Sequence, residues 1–254
     1  MDGEATPRVS GTGKSDILRT DMIDKIVSSA EAALAEVRDG STVLVGGFGG
    51  SGVPEELIDA LIAQGARDLT IVNNNAGNGE TGIAALLKAG RVRKVVCSYP
   101  RQVDSHHFQA LYRAGKVELE LVPQGTLSER MRAAGAGIGA FFTPTGFGTE
   151  LARGKETRVI GGKGHVLEYP IRGDVALVKA ERGDRWGNLV YRKSARNFGP
   201  TMAAAAKRTI AQAYEIVELG ALDPECIVTP GIFVTRVVKV PRKNASVERG
   251  RAAA

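Results

Sequence analysis

A glycine-rich run at residues 46–52 has the residue types and the spacing needed to hold a negatively charged ligand. Its members are Gly46, Gly47, Phe48, Gly49, Gly50, Ser51 and Gly52. Glycines allow a ligand to approach the backbone closely, and the N–H groups at the start of a following helix favour negative charge. The run therefore predicts a backbone cradle for an anionic group. A tight turn that only connects two elements is the alternative.

The spacing of Gly47, Gly49 and Gly52 also fits the GxGxxG pattern of dinucleotide-binding sites. That pattern needs an acidic residue at the end of the next strand, about 20 residues further on, to bind the ribose hydroxyls. Asn73 stands at that strand end, as the first of three asparagines. Because asparagine lacks the carboxylate, a nicotinamide-dependent oxidoreductase is disfavoured, although it stays open.

The elements that must position this run alternate between strand and helix. Apolar residues recur at helical spacing over 26–37, and a short apolar strand is predicted at 42–45, directly before the run. Pro54 suits a first helical turn, and the helix over 55–63 is predicted to end at Gly65. Further strands are predicted at 69–72, 92–97 and 117–121, with helices near 81–88 and 105–113.

This order predicts an α/β fold with an open, mainly parallel sheet and helices on both faces. The later part of the chain differs, because strands at 175–179 and 189–192 flank the turn-rich segment 182–188 and indicate a hairpin. More apolar strands are predicted near Ile227 and at 232–240. We therefore expect a mixed, hairpin-containing C-terminal part of the sheet.

Composition limits the classes of function. The chain of 254 residues is 43% hydrophobic, and residues 22–241 are predicted to form one folded domain. The polar, aperiodic stretches 1–21 and 242–254, the second of them basic, are predicted to be flexible tails. The net charge of +6 is scattered in short groups and aromatic residues make up 5%, so a nucleic-acid partner is not expected.

No stretch is apolar and long enough to cross a bilayer, and the polar N-terminus lacks the apolar core of a signal peptide. Cys97 and Cys226 are isolated, so neither a disulfide framework nor a zinc site is expected from them. His106 and His107 are adjacent on a predicted helix, where neighbouring side chains point apart, and a surface role is preferred to metal binding. These features predict a cytoplasmic protein with no membrane partner and no bound metal.

The residues around the glycine run belong to a longer pattern. Asp39 and Gly40, two free positions, VLV, GGF, three free positions and GVP at 52–54 reproduce the N-terminal signature of the 3-oxoacid CoA-transferases. The resemblance extends over residues 22–241 and implies the CoA-transferase fold. Four more segments carry it: NNNAG at 73–77, PQGTLSER at 123–130, AGAGIGAFFTPTGFGT at 134–149 and DRWGNLVYRKSARNF at 184–198.

Within that family the sequence most resembles A subunits that act on 3-oxoadipate, notably in NNNAGNGETG at 73–82 and LLKAGRVRKVVCS at 86–98. The resemblance implies that CoA moves from succinyl-CoA to 3-oxoadipate, a late step in the bacterial degradation of aromatic compounds. Acetoacetate is the alternative acceptor. A CoA thioester is then a substrate, and no permanently bound cofactor is expected.

The same resemblance implies that the attacking group is a glutamate in a Ser-Glu-Asn-Gly type motif of a partner B subunit. This chain contains no such motif, so no catalytic nucleophile is assigned to it. We therefore expect the chain to be active only in a heterodimer or heterotetramer with the B subunit. A non-catalytic CoA-binding module is the remaining alternative.

The expected contribution of this chain to catalysis is then to position the reacting groups and to stabilise developing charge. By the resemblance, the glycine run contacts the CoA thioester region, and Asn74, Asn75 and Gln124 match polar residues that line the family's active site. Their neutral amides can donate hydrogen bonds to a carboxylate or a developing oxyanion without competing as nucleophiles. Turn capping by the asparagines and a loop surface around Gln124 are the plainer alternatives.

Overall fold

The computed structural model describes residues 23–242 of the chain. In chain order its strands are β1 (Ile26–Val27), β2 (Thr42–Val45), β3 (Leu69–Val72), β4 (Val92–Cys97), β5 (Glu118–Leu121), β6 (Phe141–Thr143), β7 (Thr157–Ile160), β8 (Lys163–Glu168), β9 (Gly173–Asp184), β10 (Leu189–Val190), β11 (Ala206–Val217) and β12 (Arg236–Lys239). The α-helices are α1 (Ala30–Leu34), α2 (Glu55–Gln64), α3 (Ile83–Lys88), α4 (His106–Arg113), α5 (Gln124–Gly135) and α6 (Gly199–Ala205).

A central sheet of nine strands organises these elements. Its order is β1-β12-β11-β9-β2-β3-β4-β5, and every neighbouring pair along this path is parallel. The ninth strand, β10, pairs antiparallel with β9 and forms the predicted hairpin. A separate antiparallel sheet has the order β6-β8-β7. β9, from the second half of the chain, therefore lies directly beside β2, which precedes the glycine run.

Helices cover both faces of the central sheet. Successive residues of β2 alternate between two buried clusters: Val43 and Val45 belong to one together with Leu57 of α2. Leu44 belongs to the other together with Leu127 of α5. Alternation of this kind follows from the period of two along a strand and lets both faces bury apolar area. The predicted α/β fold, with a mainly parallel sheet between helices, is confirmed.

The helix after the glycine run follows its sequence signals closely. It begins at Glu55, with Pro54 as the N-cap residue, and ends at Gln64, with Gly65 as the C-cap residue, whose φ of 97° is left-handed. Glycine adopts that conformation without the steric penalty of a Cβ atom, so it stops the helix where the sequence predicts.

Two sequence-based element assignments are wrong, and the strand predicted at 232–240 is shorter in the structure, where Arg236–Lys239 follows the 3-10 helix Gly231–Phe233. The apolar spacing predicts Ile26 in a helix, but it lies in β1, because it pairs in parallel with Val237 of β12. No strand forms near Ile227, since Pro224–Cys226 is a short 3-10 helix and the chain then passes to an isolated bridge at Thr229. The first error involves a contact with a distant strand, which local apolar spacing does not report, and the second involves a local turn that Asp223 caps.

The predicted tails at 1–21 and 242–254 lie outside the described residues, apart from Arg242. Its guanidinium group pairs with Glu181 and lies 4.2 Å from the ring centroid of Tyr214. Of the helices between residues 23 and 242, none combines the length and the apolar character that crossing a bilayer requires.

Candidate active site at the carboxyl ends of the strands

The glycine run forms a tight turn directly after β2. The N–H of Phe48 donates to the carbonyl oxygen of Ser51 at 3.0 Å, and the N–H of Ser51 donates back at 3.1 Å. Gly49 and Gly50 therefore form the tip of the turn. In open α/β sheets ligands bind outside the carboxyl ends of the parallel strands, which is where this tip lies.

Two asparagine side chains fix the turn. Oδ1 of Asn197 accepts from the N–H of Gly47 at 3.1 Å, and Oδ1 of Asn75 accepts from the N–H of Gly49 at 3.0 Å. Asn197 also donates through Nδ2 to the carbonyl oxygen of Ser51 at 3.0 Å. The conformation of the run is thus set by side chains that lie 26 and 150 residues further along the sequence than the glycines they contact.

Few backbone donors of this region stay available to a ligand. The N–H of Gly50 has no acceptor within residues 23–242. At the start of α2, by contrast, the N–H of Leu57 donates to Oε1 of the buried Gln212 at 3.2 Å, and Glu55 and Glu56 occupy the first turn. The protein's own groups already occupy the positive end of this helix, so an anion would meet the tip of the run rather than α2.

Gly52 allows a second segment to pack against the run. Its φ is +77°, and a Cβ atom at this position would lie 2.4 Å from the carbonyl oxygen of Ala195. Only glycine accommodates both the left-handed backbone and this close approach. The segment that it admits is the 3-10 helix Lys193–Arg196, which we call the basic segment.

Asn74, Asn75 and Gln124 meet in one group, the amide cluster. Oδ1 of Asn74 accepts from Nε2 of Gln124 at 2.8 Å and from Oγ of Ser98 at 2.7 Å. Nδ2 of Asn74 donates to Oδ1 of Asn75 at 3.2 Å. Both asparagines are buried, whereas Gln124 is exposed as the first residue of α5. The structure therefore brings together the three polar residues that the sequence singled out, and their chemical role stays a prediction.

Asn73 uses its amide group for contacts within the protein. It is buried, and its Nδ2 donates to the carbonyl oxygen of Val45 at 2.6 Å, which links the end of β3 to the end of β2. Its Oδ1 accepts from the backbone N–H of Asn75 at 2.8 Å. Both ends of the Asn73 amide are thus engaged within the protein, which argues against the dinucleotide site that the GxGxxG spacing left open, since a ribose-binding residue must offer its side chain to the ligand.

Phe48 of the run lines several open pockets, and two of them differ in chemical character. The first, of roughly 460 Å³, is lined by Phe48, Gly49, Asn74, Asn75, Ser98, Tyr99, Gln102 and Gln124. The second, of roughly 500 Å³, is lined by Phe48, Ser51, Lys193, Ser194, Arg196 and Asn197. The first pocket offers amide donors and acceptors, and the second offers two positive charges. This combination suits a ligand with both a reactive carbonyl and anionic groups.

No strong nucleophile stands ready beside these pockets in the described part of the chain. Neither pocket is lined by a carboxylate, and Glu55 lines a smaller hollow of roughly 160 Å³ behind the tip. Cys97 precedes the pocket-lining Ser98, but burial raises the pKa of its thiol to about 12. A thiol with that pKa is almost entirely protonated at neutral pH and is a poor nucleophile.

Sequence reasoning assigned no role to Asn197 or Ser98, although both contact the predicted site residues. Each lies inside a segment that carries the family resemblance, at 184–198 and 86–98, and that was the available signal. Their contacts depend on the spatial order of the strands, which sequence spacing alone does not provide.

Comparison with known proteins decides between the remaining interpretations. Residues 27–240 match the family of coenzyme A transferases. The chain belongs to this family. Its similarity to one bacterial relative is high: it is 67% identical over 225 residues to the A subunit of 3-oxoadipate CoA-transferase from Pseudomonas putida, which covers 89% of this chain and 97% of the relative.

Two more comparisons relate this coenzyme A transferase to a second bacterial enzyme and to a solved structure. The A subunit of a probable succinyl-CoA:3-ketoacid coenzyme A transferase from Bacillus subtilis is 48% identical over 225 residues, covering 89% of this chain and 94% of the relative. Among solved structures, glutaconate coenzyme A-transferase from Acidaminococcus fermentans matches with a TM-score of 0.74 at 23% identity, covering 85% of this chain and 76% of that one. The latter shows a shared fold, and the predicted resemblance to the family is confirmed.

Proposed function

We propose that this coenzyme A transferase is the A subunit of an enzyme that moves CoA from succinyl-CoA to 3-oxoadipate. The nucleophilic glutamate then belongs to a partner B subunit. The observation that carries the proposal is a pocket that is lined by the amide cluster but by no carboxylate that could attack a thioester. The 67% identity to the A subunit of a 3-oxoadipate CoA-transferase supports the choice of acceptor.

The proposed chemistry consists of successive acyl transfers. The partner's glutamate carboxylate attacks the thioester carbonyl of succinyl-CoA, the C–S bond breaks, and a mixed anhydride and CoA thiolate form. The thiolate then attacks the glutamyl carbonyl, releasing succinate and leaving a glutamyl-CoA thioester. The acceptor carboxylate attacks that thioester, and the same two steps in reverse order give the new acyl-CoA and restore the glutamate.

Each of these attacks creates a tetrahedral oxyanion, and this chain supplies donors for it. Gln124 and Asn74 carry amide N–H groups at the pocket, and Gly50 offers a backbone N–H at the tip of the run. Fixed donors aimed at developing charge stabilise it without reorganising during the reaction. Because amides are neutral, they stabilise the oxyanion without attacking the thioester themselves.

The test is reconstitution with a candidate B subunit that carries a Ser-Glu-Asn-Gly type motif. The full chain, the candidate partner and their equimolar mixture are incubated with succinyl-CoA and 3-oxoadipate, and 3-oxoadipyl-CoA formation is followed. We expect activity in the mixture alone and, after incubation with succinyl-CoA, a CoA adduct on the partner chain by mass spectrometry. A CoA adduct on this chain, or no activity with any such partner, would overturn the proposal.

Acetoacetate is the second candidate acceptor, because the chain is also 48% identical to a chain of a probable succinyl-CoA:3-ketoacid transferase. Comparing kcat/KM for the two acceptors in the same mixture separates these functions. A higher value for acetoacetate would leave the transferase assignment intact and replace the acceptor. We also propose a cytoplasmic location for the enzyme, since Cys97 and Cys226 are unpaired thiols.

A further inference from the structure

Two histidines and a glutamate converge where α4 begins. Nε2 of His106 and Nε2 of His107 each lie 3.0 Å from the same atom, Oε1 of Glu80. The expectation that adjacent histidines point apart is wrong here. His106 is the first residue of α4, and the two ring centroids are 4.0 Å apart at an interplanar angle of 48°. We call these three residues the histidine cluster.

The geometry of the cluster matches what a tetrahedral metal ion needs. One ligand atom from each residue can be chosen so that all lie within 4.8 Å of one another. Zinc binds histidine nitrogen and carboxylate oxygen at about 2.0–2.2 Å, which places neighbouring ligands of a tetrahedron about 3.3–3.6 Å apart. The two N···O separations of 3.0 Å therefore need to open by only a few tenths of an ångström.

Outer contacts orient the ligands in the way that metal sites require. Nδ1 of His106 lies 2.7 Å from Oδ1 of Asp104, an arrangement that fixes the tautomer and leaves Nε2 for a metal. Nζ of Lys88 holds the other carboxylate oxygen of Glu80 at 2.7 Å, so that Oε1 alone faces the two rings. The cluster is partly open to solvent, which leaves room for water as a further ligand.

We propose that Glu80, His106 and His107 form a binding site for Zn²⁺, completed by water. Imidazole nitrogen and carboxylate oxygen suit zinc, whereas calcium and magnesium prefer oxygen ligands alone. The site joins the loop between β3 and α3 to the start of α4. These segments already touch, because the N–H of Gly79 donates to the carbonyl oxygen of Asp104 at 2.7 Å.

Bound zinc would stabilise one wall of the candidate active site. Asn78, which precedes Glu80, and Gln102, which precedes His106, line the hollow behind the glycine tip together with Gly49 and Gly50. The expected role of the zinc ion is therefore structural, because it would bind away from the carbonyl group that reacts. The inference does not depend on the proposed transfer reaction, and its test needs no substrate.

The test is zinc titration of the metal-free, tag-free full chain by isothermal calorimetry. We expect one zinc ion per chain, and affinity lowered at least about tenfold in His107→Ala and in Glu80→Gln. The chain has three histidines, so His165→Ala is the matched control and should bind zinc like the wild type. Asp104→Asn should weaken binding by about 10- to 100-fold, because that carboxylate orients His106.

Two further readouts separate a metal site from a plain ion-pair cluster. At zinc concentrations about 100 times the dissociation constant, the thermal midpoint of the wild type should rise by about 5–10 °C, with no rise in His107→Ala. Co²⁺ in place of zinc should give the visible absorption of a four-coordinate ion. Circular dichroism of each variant checks that it is folded. No stoichiometric binding by the wild type, or equal affinity in His107→Ala and His165→Ala, would overturn the proposal.

Discussion

Gln124 is the exposed member of the amide cluster, so its contribution should be to rate rather than to stability. Gln124→Ala removes one amide from the pocket and leaves Asn74 its contact with Ser98. We expect kcat/KM of the assembled enzyme to fall about 100-fold, as when one oxyanion donor is lost. Steady-state kinetics give the rate, and thermal unfolding should show an almost unchanged midpoint.

Arg132 provides the matched control, because it lies exposed on the same helix α5 and pairs with Glu129. Arg132→Ala should leave both the rate and the thermal midpoint as they are. A Gln124→Ala enzyme with normal kcat/KM would contradict the oxyanion role and leave Gln124 as part of a polar surface.

The two cations of the basic segment should recognise the distal carboxylate of the acceptor. Lys193 and Arg196 line the second pocket, and neither forms an ion pair with another described residue. A charge-assisted hydrogen bond to a carboxylate contributes about 1.5–3 kcal/mol. We therefore expect Arg196→Gln to raise KM for 3-oxoadipate at least about tenfold and to leave KM for acetoacetate unchanged.

Arg192→Gln is the control for this prediction, since Arg192 is exposed next to the basic segment but does not line the pocket. Its kinetic constants should match those of the wild type. If Arg196→Gln instead raised KM for succinyl-CoA alone, the charge would serve the CoA phosphates and the prediction would fail.

The turn that carries the glycine run depends on its contact with the basic segment. Gly52→Ala places a Cβ atom 2.4 Å from the carbonyl oxygen of Ala195 and demands a left-handed alanine. The backbone conformation alone costs about 1–2 kcal/mol. We expect a thermal midpoint lower by several degrees and a loss of activity, because the basic segment must move away from the run.

Gly50→Ala tests the same turn without the clash. No atom lies within 4 Å of a Cβ atom built at Gly50, and its φ is outside the left-handed region. This variant should keep the thermal midpoint of the wild type. Equal stability of Gly52→Ala and Gly50→Ala would show that the close approach at Gly52 is not needed.

A single buried carboxylate, that of Asp184, stabilises the hairpin between β9 and β10. Asp184 accepts from the N–H groups of Trp186 and Asn188, each at 3.0 Å, and from Nδ2 of Asn188 at 2.8 Å. We expect Asp184→Ala to lower the free energy of unfolding by about 2–4 kcal/mol, because buried donors lose a charged acceptor. Urea denaturation measures this difference.

A second aspartate offers the comparison. Asp223 caps a 3-10 turn through the N–H of Glu225 at 2.9 Å, but it is exposed. Asp223→Ala should cost about 1 kcal/mol or less, since water replaces the lost acceptor. A similar cost for both variants would mean that burial does not set the strength of the Asp184 turn.

The sequence predicts the strands and helices that have clear local signals. The predicted bounds of β2, β3 and β4 are correct, because each is a short apolar run between turn-forming residues. The strand β11 was missed, although it is twelve residues long, because it follows α6 without an intervening loop and its alanines favour helix over strand. The same holds for the site. The three residues of the amide cluster were singled out from a family pattern in the sequence, whereas the role of Asn197 follows from its contact with Gly47 across 150 residues.

The order of the strands makes the site a product of the whole chain. β9 lies between β2 and β11, so the carbonyl oxygen of Leu177 accepts from the N–H of Gly46 at 2.9 Å. The basic segment follows the β9–β10 hairpin and reaches the same end of the sheet. Strands β12, β11 and β9 of the second half of the described chain thus lie between β1 and β2 of the first half, and we expect residues 23–242 to unfold as one cooperative unit.

Cys97 can report on that cooperative unfolding. It ends β4 between β3 and β5, its side chain is fully buried in the cluster that faces α2, and burial raises the pKa of its thiol to about 12. A thiol reagent attacks the thiolate, so Cys97 should react only in molecules whose sheet has opened. In Cys226→Ser, which leaves a single thiol, labelling by Ellman's reagent should therefore be slow in native buffer.

The dependence of this labelling on urea distinguishes global from local opening. If the central sheet opens as one unit, the free energy of opening from Cys97 labelling should fall with urea at the slope measured by circular dichroism. The complementary variant, Cys97→Ala, keeps the exposed Cys226 and should label without a dependence on unfolding. A much shallower dependence of Cys97 labelling on urea would mean that only the β4–β5 edge of the sheet opens. The cooperative folding unit would then be smaller than the strand order implies.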